Sequence, residues 1–506
     1  MPKPPRSVVD EFKTLLRQSS HYLFGLVSSL ALGFVSFPLF TRMFSVADYG
    51  LIDLVQKVVF LAVAFGKAGM QNSTLRFYNH EKFEADPEAR KRYYSTMFYS
   101  VAGISLLVTL LYVAALKVLP ETFIDRPLAT ILTFTAALVM TRSLQSILFG
   151  FLRIEEKTKA YNVAGFVIKA ATIVAVLGLV RYMGASVKTY YTATIGIEVL
   201  TITAVCWPLL RKGLLNFTKF DKTLLTAGLS FGLPMIIQEL AGNILDSGDR
   251  WLVRMYLGAD ALGYYSVAYG LSGYVNTLIY TPLWMAVLPI YMRIWRNQGK
   301  EKTREFLSIG MDAFLILAGA LFVLASVGAH DAVVFMASPK YKVAAPLIPT
   351  LVAGLLLYTV QVFLNAGLLI QKKTKLMALA LAGSAILNIG LNMLLLPRMG
   401  IQGAAVATLI SYGVCTLVLA IFSSRVLTLD FYFRSLVGYV IAALVTVLAI
   451  PYVDTHSAFW NLFVKSTLAL LLYGGIIYAT DARIRNLVGQ LWSKVRTRIP
   501  GFQGAA

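Results

Sequence analysis

About twenty residues almost without charge, then a short basic or turn-rich break, then about twenty more: this rhythm runs through nearly the whole chain. A helix needs roughly 20 consecutive apolar residues to cross the hydrocarbon of a bilayer. Fourteen stretches meet that requirement, the first at 20–40 and the last at 460–479. In hydrocarbon each backbone N–H and C=O must be satisfied within its own segment, so such stretches fold as helices. The sequence therefore predicts an all-α polytopic membrane protein of 14 transmembrane helices. Composition agrees, with 58% of residues hydrophobic and 14% charged, against roughly 45–50% and 25% in soluble domains. The longest connection, around Arg76–Arg92, has about 22 residues, too few for a domain of even about 50. A fused ATPase or glycosyltransferase domain has no place between the helices.

The first stretch follows a basic lead (Lys3, Arg6, Lys13, Arg17) that superficially resembles a signal peptide. Its length and the lack of a small-residue cleavage site predict a retained first helix. Cys206 and Cys415 fall in different apolar stretches without metal spacing, as small hydrophobes inside helices would. Lysine and arginine collect in cytoplasmic loops of membrane proteins. Alternate connections carry 31 and 10 of the 46 basic residues, and the other five, Lys57, Lys67, Arg142, Lys169 and Lys465, lie within predicted helices. That alternation predicts an even number of helices with both termini cytoplasmic. It also answers the net charge of +21 without nucleic acid, because the cations sit at helix ends and form no single patch.

The chain repeats itself. Ile154–Lys159 returns as Ile370–Lys375, Met183-Gly184 as Met399-Gly400 and Gln145 as Gln361, all at an offset of 216. Arg42-Met43 and Asp48 return as Arg254-Met255 and Asp260 at 212. Six helices separate equivalent points, so the halves face the same way. The expected plan is two parallel-repeat six-helix lobes, 1–215 and 216–428, with helices 13–14 and a cytoplasmic tail in 429–506. Two equal lobes around a cavity suit alternating access.

An ionisable group at mid-bilayer costs roughly 2.5–3.5 kcal/mol on insertion scales, so it faces the bundle interior. Helix 2 carries Asp53, Lys57, Lys67 and Gln71 near one face, helix 4 carries Arg142 and Gln145, and helix 5 carries Asn162 and Lys169. Helix 7 carries the stripe Glu239, Asn243, Asp246 and Arg250, with Asp249 beside it. Asn276, Gln361, Asn365, Asn388 and Asn392 follow on helices 8, 10 and 11. The four cations Lys57, Lys67, Arg142 and Lys169 suggest an anionic, phosphorylated cargo. The competing bland readings are an Asp53–Lys57 pair, a fixed Glu239–Asp246–Arg250 network, snorkelling of Lys67, and interhelical hydrogen bonds among the amides. Asp312 and Lys465 look isolated, the four histidines sit at helix ends or loops, and the doublets Tyr93-Tyr94, Tyr190-Tyr191 and Tyr264-Tyr265 suit an aromatic belt.

No phosphate-loop motif, H-E-x-x-H or cysteine–histidine cluster occurs. No cofactor or metal is expected, beyond a coupling H+ or Na+. Asp246-Ser247-Gly248-Asp249 offers paired carboxylates, as a membrane glycan polymerase or glycosyltransferase needs. The external loops are too short to house such chemistry.

The segments Phe37-Pro38-Leu39-Phe40-Thr41-Arg42 and Asp48-Tyr49-Gly50-Leu51 resemble the opening of bacterial O-antigen and exopolysaccharide flippases. Gly232-Leu233-Pro234, Asp249-Arg250-Trp251 and Leu262-Gly263-Tyr264-Tyr265-Ser266 add to the resemblance. Those proteins belong to the multidrug/oligosaccharidyl-lipid/polysaccharide exporter superfamily. The resemblance implies two six-helix lobes around a cationic cavity in the bacterial cytoplasmic (inner) membrane. It implies flipping of undecaprenyl-pyrophosphate-linked oligosaccharide to the external leaflet for surface polysaccharide synthesis, coupled to an ion gradient. Lys57, Lys67, Arg142 and Lys169 would then meet the pyrophosphate, and Glu239 or Asp246 the coupling ion. Arg42, Asp48, Asp249 and Arg250 match the motif pattern and would shape loops. The partners implied are lipid-linked oligosaccharide, membrane lipids, and polysaccharide polymerase and export proteins. Three alternatives stay open: a multidrug cation antiporter of the same superfamily, a lipid II flippase, and a glycan polymerase or glycosyltransferase.

Overall fold

A computed structural model describes residue 28 and residues 30–430, 433–450, 457–486 and 489. Among these the chain is helical throughout, with no strand. Ten helical runs are long and apolar enough to cross a membrane, and two shorter apolar helices, Leu30–Met43 and Arg434–Ala449, accompany them. One run, Lys222–Ala337, is 116 residues long. It is broken where Gly258 and Gly299 adopt φ of 89° and 81°, a region open to glycine at no steric cost. His21 and His456 lie outside the described residues.

The chain divides into two compact units, Met1–Gly263 and Tyr264–Ala506. The first begins with α1 (Leu30–Met43) and α2 (Val46–Gly66). Ser45 caps α2 by accepting from the Asp48 amide, while its hydroxyl donates to the Asp48 carboxylate at 2.7 Å. The cap satisfies one amide that the helix leaves open, and the second bond gives motif residue Asp48 a local role. The α2 helix stops at Lys67–Gly69, where Ala68 and Gly69 take φ of 46° and 69°. A short α3 (Met70–Phe77) and α4 (His80–Ala85) follow, so Gln71 leaves the face it was expected to share with Asp53. Then come α5 (Pro87–Val118), α6 (Arg126–Phe134), α7 (Ala137–Ile154), α8 (Thr158–Met183) and α9 (Val187–Arg211). The α7 helix packs against α2, α5 and α9. The long α10 (Lys222–Ser272) completes this unit as far as Gly263. It approaches α2 closely at Gly50 on Gly263, and the break after α2 at Gly69 on Gly232.

In the second unit α11 (Thr281–Ala332) packs against α12 (Leu347–Leu364), and α13 (Ala366–Ile370), α14 (Thr374–Met399) and α15 (Ile401–Ser424) follow. The helices α16 (Phe433–Ala449) and α17 (Ala458–Thr480) lie on α11. Lys465 of α17 reaches Asp331 at 2.9 Å, Tyr473 donates to the Ile316 carbonyl at 3.1 Å, and Arg483 meets Asp312 at 3.4 Å. The two groups that looked isolated, Asp312 and Lys465, are thus parts of the docking of the last two helices.

The repeat is written in the backbone as well as in the sequence. Glu156 and Lys372, 216 residues apart, are both non-glycine residues at positive φ, 55° and 57°. The hydrogen bonds Lys157 N to Leu152 O and Lys373 N to Leu368 O are equivalent. The helices that follow, α8 and α14, each have 26 residues, and each ends at a glycine with positive φ, Gly184 and Gly400.

The tyrosine doublets form no belt. Tyr93, Tyr94, Tyr191 and Tyr265 are fully buried. Their hydroxyls find partners inside: Tyr94 donates to Glu155 at 2.6 Å and Tyr191 to the Ile52 carbonyl at 2.7 Å. A ring that can bury its body and satisfy its hydroxyl gains more from the core than from the interface. Cys206 and Cys415 are free and buried.

Candidate functional site

The site begins with two helix faces in the first unit. Apolar residues surround Asp53 and Lys57 on α2, and the stripe Glu239, Asn243, Asp246 and Arg250 recurs at one- and two-turn spacing on α10. Such residues on one face point together. The two faces meet in opposite directions along the chain. Arg250 donates from Nε to Asp53 at 2.7 Å, Lys57 stands 3.7 Å from Asp246, and Lys67 donates to Glu239 at 2.6 Å. Each of these three pairs joins α2 or the residue that caps it to α10, so Glu239, Asp246 and Arg250 are all engaged in internal ion pairs. Lys67 is nearly buried on Glu239 and does not snorkel. Asn243 donates to the Glu239 carbonyl at 2.7 Å. Arg250 is buried against Asp249 at 3.5 Å and also donates to the Asp246 carbonyl at 2.8 Å.

Arg142 on α7 has a partner that the sequence reading passed over. Its Nε donates to Glu198 of α9 at 3.0 Å, and the other oxygen of Glu198 accepts from the Thr141 hydroxyl at 2.6 Å. Glu198 is the only acidic residue in α9 and is buried. A lone ionisable group in an apolar run is itself the signal for a paired, inward-facing residue.

Between these pairs lies a cavity of about 550 Å³. Lys57 and Arg142 supply its cations, Asp246 its carboxylate, Gln56 and Asn243 its amides, and Trp251 a broad aromatic wall. Gln56 is held by a 3.0 Å hydrogen bond to the Tyr190 hydroxyl. Of the cations, Lys57 is the loosest: its side chain is one-third exposed, and Nζ makes no hydrogen bond among the described residues. Arg142 uses only Nε on Glu198, which leaves its two terminal nitrogens as donors. The wall is therefore charge-balanced, with each expected cation on it matched by a carboxylate.

The remaining candidates lie elsewhere. Lys169 is exposed and Asn162 half-buried on α8, and neither lines the cavity, nor does half-buried Gln145. In the second unit Gln361 donates to Thr416 at 2.9 Å, and Asn392 donates to the Asn388 side chain at 3.1 Å and to its carbonyl at 2.8 Å. Asn365 reaches Gln361 and Asn388 reaches Thr408, each at 3.5 Å. Asn276 opens a π-helical turn, Asn276–Tyr280. Arg42 is exposed at the end of α1. Gln56 and Trp251 on the cavity wall, and Glu198 holding Arg142 from outside the lining, are the residues that sequence reasoning missed.

The described residues contain no group of histidine, cysteine and carboxylates able to hold a metal.

The model of the polysaccharide biosynthesis protein family matches residues 15–295. No curated protein matches the chain. Among solved structures, the lipid II flippase MurJ in an inward closed conformation has a TM-score of 0.73 at 16% identity, covering 94% of this chain and 100% of its own. An inward-facing multidrug resistance MATE family transporter of the MOP superfamily has a TM-score of 0.61 at 14% identity, covering 78% of this chain and 97% of its own. An outward-facing one has 0.52 at 14%, with 82% and 95% covered. At these identities the likeness is one of fold.

Proposed function

Because the chain belongs to the polysaccharide biosynthesis protein family, we propose that it is a flippase for undecaprenyl-pyrophosphate-linked oligosaccharide repeat units. It carries them from the cytoplasmic to the external leaflet of the bacterial inner membrane, by alternating access of the two repeat lobes, 1–215 and 216–428. The basic-residue alternation supports fourteen crossings with both termini cytoplasmic. The fold shared with a lipid II flippase supports a lipid-linked cargo, and the products would pass to polysaccharide polymerase and export proteins.

One observation carries the reading: Arg142, anchored through Nε on Glu198, lines the cavity with its terminal nitrogens uncommitted, opposite a loosely paired Lys57. A guanidinium held in this way offers parallel donors to phosphate oxygens. Lys57 would exchange Asp246 for the phosphate, leaving that carboxylate to take up a proton or Na+, while Glu239 stays on Lys67. Cargo binding and ion binding are then linked through one lysine. Lys169, outside the cavity walls, has no part in this step.

Affinity of the purified protein for undecaprenyl pyrophosphate tests the site. Hydrogen bonds to charged groups are worth about 1.5–3 kcal/mol, so Arg142→Ala is expected to weaken binding at least about tenfold. Lys169→Ala leaves it unchanged. Equal affinity in wild type and Arg142→Ala would remove the pyrophosphate from this cavity. The cation-antiporter reading draws on Asp246 and the Trp251 wall, which suit a cationic aromatic guest. Lys57 and Arg142 on the same walls repel such a guest.

A further inference from the structure

A second cleft in the first unit, of about 570 Å³, lies apart from the cavity just described. Four cations line it: Arg90 and Lys91 from the start of α5, Lys157 from the start of α8, and Lys212 just past the end of α9. They come from the three basic connections of this unit, which the fold gathers around one opening. Among the described residues the only carboxylate on the walls is Glu155. It is already occupied by Arg90 at 2.8 Å, Lys157 at 2.5 Å and the Tyr94 hydroxyl at 2.6 Å. Lys212 is exposed and makes no ion pair among the described residues, and Arg90 Nε is buried with no hydrogen-bond partner. Beneath this charged rim the wall is apolar, built from Leu148, Val205 and their neighbours on α7, α8 and α9.

The repeat provides an internal comparison. In the second unit a smaller cleft of about 300 Å³ is lined by Leu364, Ala420, Ser424 and Thr428, which stand 216 residues after Leu148, Ala204, Pro208 and Lys212 of the first. The architecture recurs, and among the described residues no charged one lines the copy. Of the two equivalent clefts, the described residues put charge on one.

We infer that the first-unit cleft holds one anionic phospholipid of the surrounding leaflet, with its phosphate at Lys157 and Lys212 and an acyl chain along the apolar wall. A polar rim at helix ends over an apolar wall between spans matches the two parts of a lipid in depth as well as in character. Basic clefts between transmembrane helices take anionic headgroups for this reason. The inference does not depend on which cargo the central cavity carries.

Native mass spectrometry of the purified full chain, titrated with phosphatidylglycerol and with phosphatidylcholine, tests it. Wild type should prefer phosphatidylglycerol. Each lysine near a membrane surface contributes about 1 kcal/mol, so Lys157→Gln with Lys212→Gln should cut the preference about 25-fold. Lys157→Arg with Lys212→Arg should keep it, and Lys300→Gln, removal of a charge at an exposed lysine of the other unit, should leave it intact. Soluble glycerophosphoglycerol should not compete. An unchanged preference in the double glutamine variant, an equal fall in Lys300→Gln, or effective competition by the soluble headgroup would overturn the inference.

Discussion

Glu198 and Arg142 sit on neighbouring helices in a part of the chain where water is scarce, and each is the answer to the other's charge. Breaking a buried pair costs roughly 3–5 kcal/mol, because the survivor keeps its charge without a partner. Arg142 is about a quarter exposed, so Glu198→Ala should fall at the lower end, about 3 kcal/mol in denaturant titration in micelles. Arg142→Ala added to that variant should cost little more, and an additive loss would show that the two residues are not coupled. At the end of α7, Glu155 gives a pH signature. Burial pushes its carboxyl up, but hydrogen bonds from Lys157, Tyr94 and Arg90 outweigh burial and hold it below the usual range. A carboxyl lowered in the folded state stabilises fully above its unfolded pKa, about 4.3, and loses that contribution as pH falls toward the folded value. Glu155→Gln should therefore be less stable than wild type at pH 6, with the gap closing below about pH 4. A gap that stays constant with pH would show that the charge is not what matters.

Helices were legible because length and apolarity decide them, and the stripes on α2 and α10 were legible because period 3.6 decides which residues share a face. Partners were not legible. Nothing in the spacing of Asp53 and Lys57 says that Arg250 and Asp246, nearly 200 residues away, will take them. The amides of α12 and α14 were equally open, and the structure gives them neighbours within the second unit. The helix break at Lys67–Gly69 could have been read from glycine, and its reason is contact: a Cβ on Gly69 would run into the Gly232 carbonyl, at φ +69°. Left-handed backbone alone costs a residue with a Cβ about 1–2 kcal/mol. Gly69→Ala should accordingly destabilise by more than about 2 kcal/mol. Gly165→Ala, in ordinary helix with open space around it, should be neutral or stabilising by up to about 1 kcal/mol. Similar melting of the two variants would mean that the break after α2 and α10 are not in close contact there.

At the scale of the whole molecule, the sequence repeat at an offset of 216 recurs in the backbone at Glu156 and Lys372, and α17 and the residues after it are held to α11 by Lys465, Tyr473 and Arg483. The positive-inside pattern predicts that reporters active only in the cytoplasm work when fused at either terminus. Activity at one end alone would make the number of crossings odd. Ion coupling through Asp246 predicts that collapsing both proton and sodium gradients slows net flipping, and flipping indifferent to both would remove the coupling. In the proposed mechanism Arg142 and Lys57 hold the pyrophosphate of a lipid-linked oligosaccharide while it crosses the membrane. Its most direct test is transbilayer movement of undecaprenyl-pyrophosphate-linked oligosaccharide in liposomes reconstituted with the wild-type chain, Arg142→Ala and Lys57→Ala. The account predicts rapid movement with wild type and loss of most of it in both variants, with each protein still folded. Wild-type protein that leaves this lipid in place while transporting cationic dyes would contradict it.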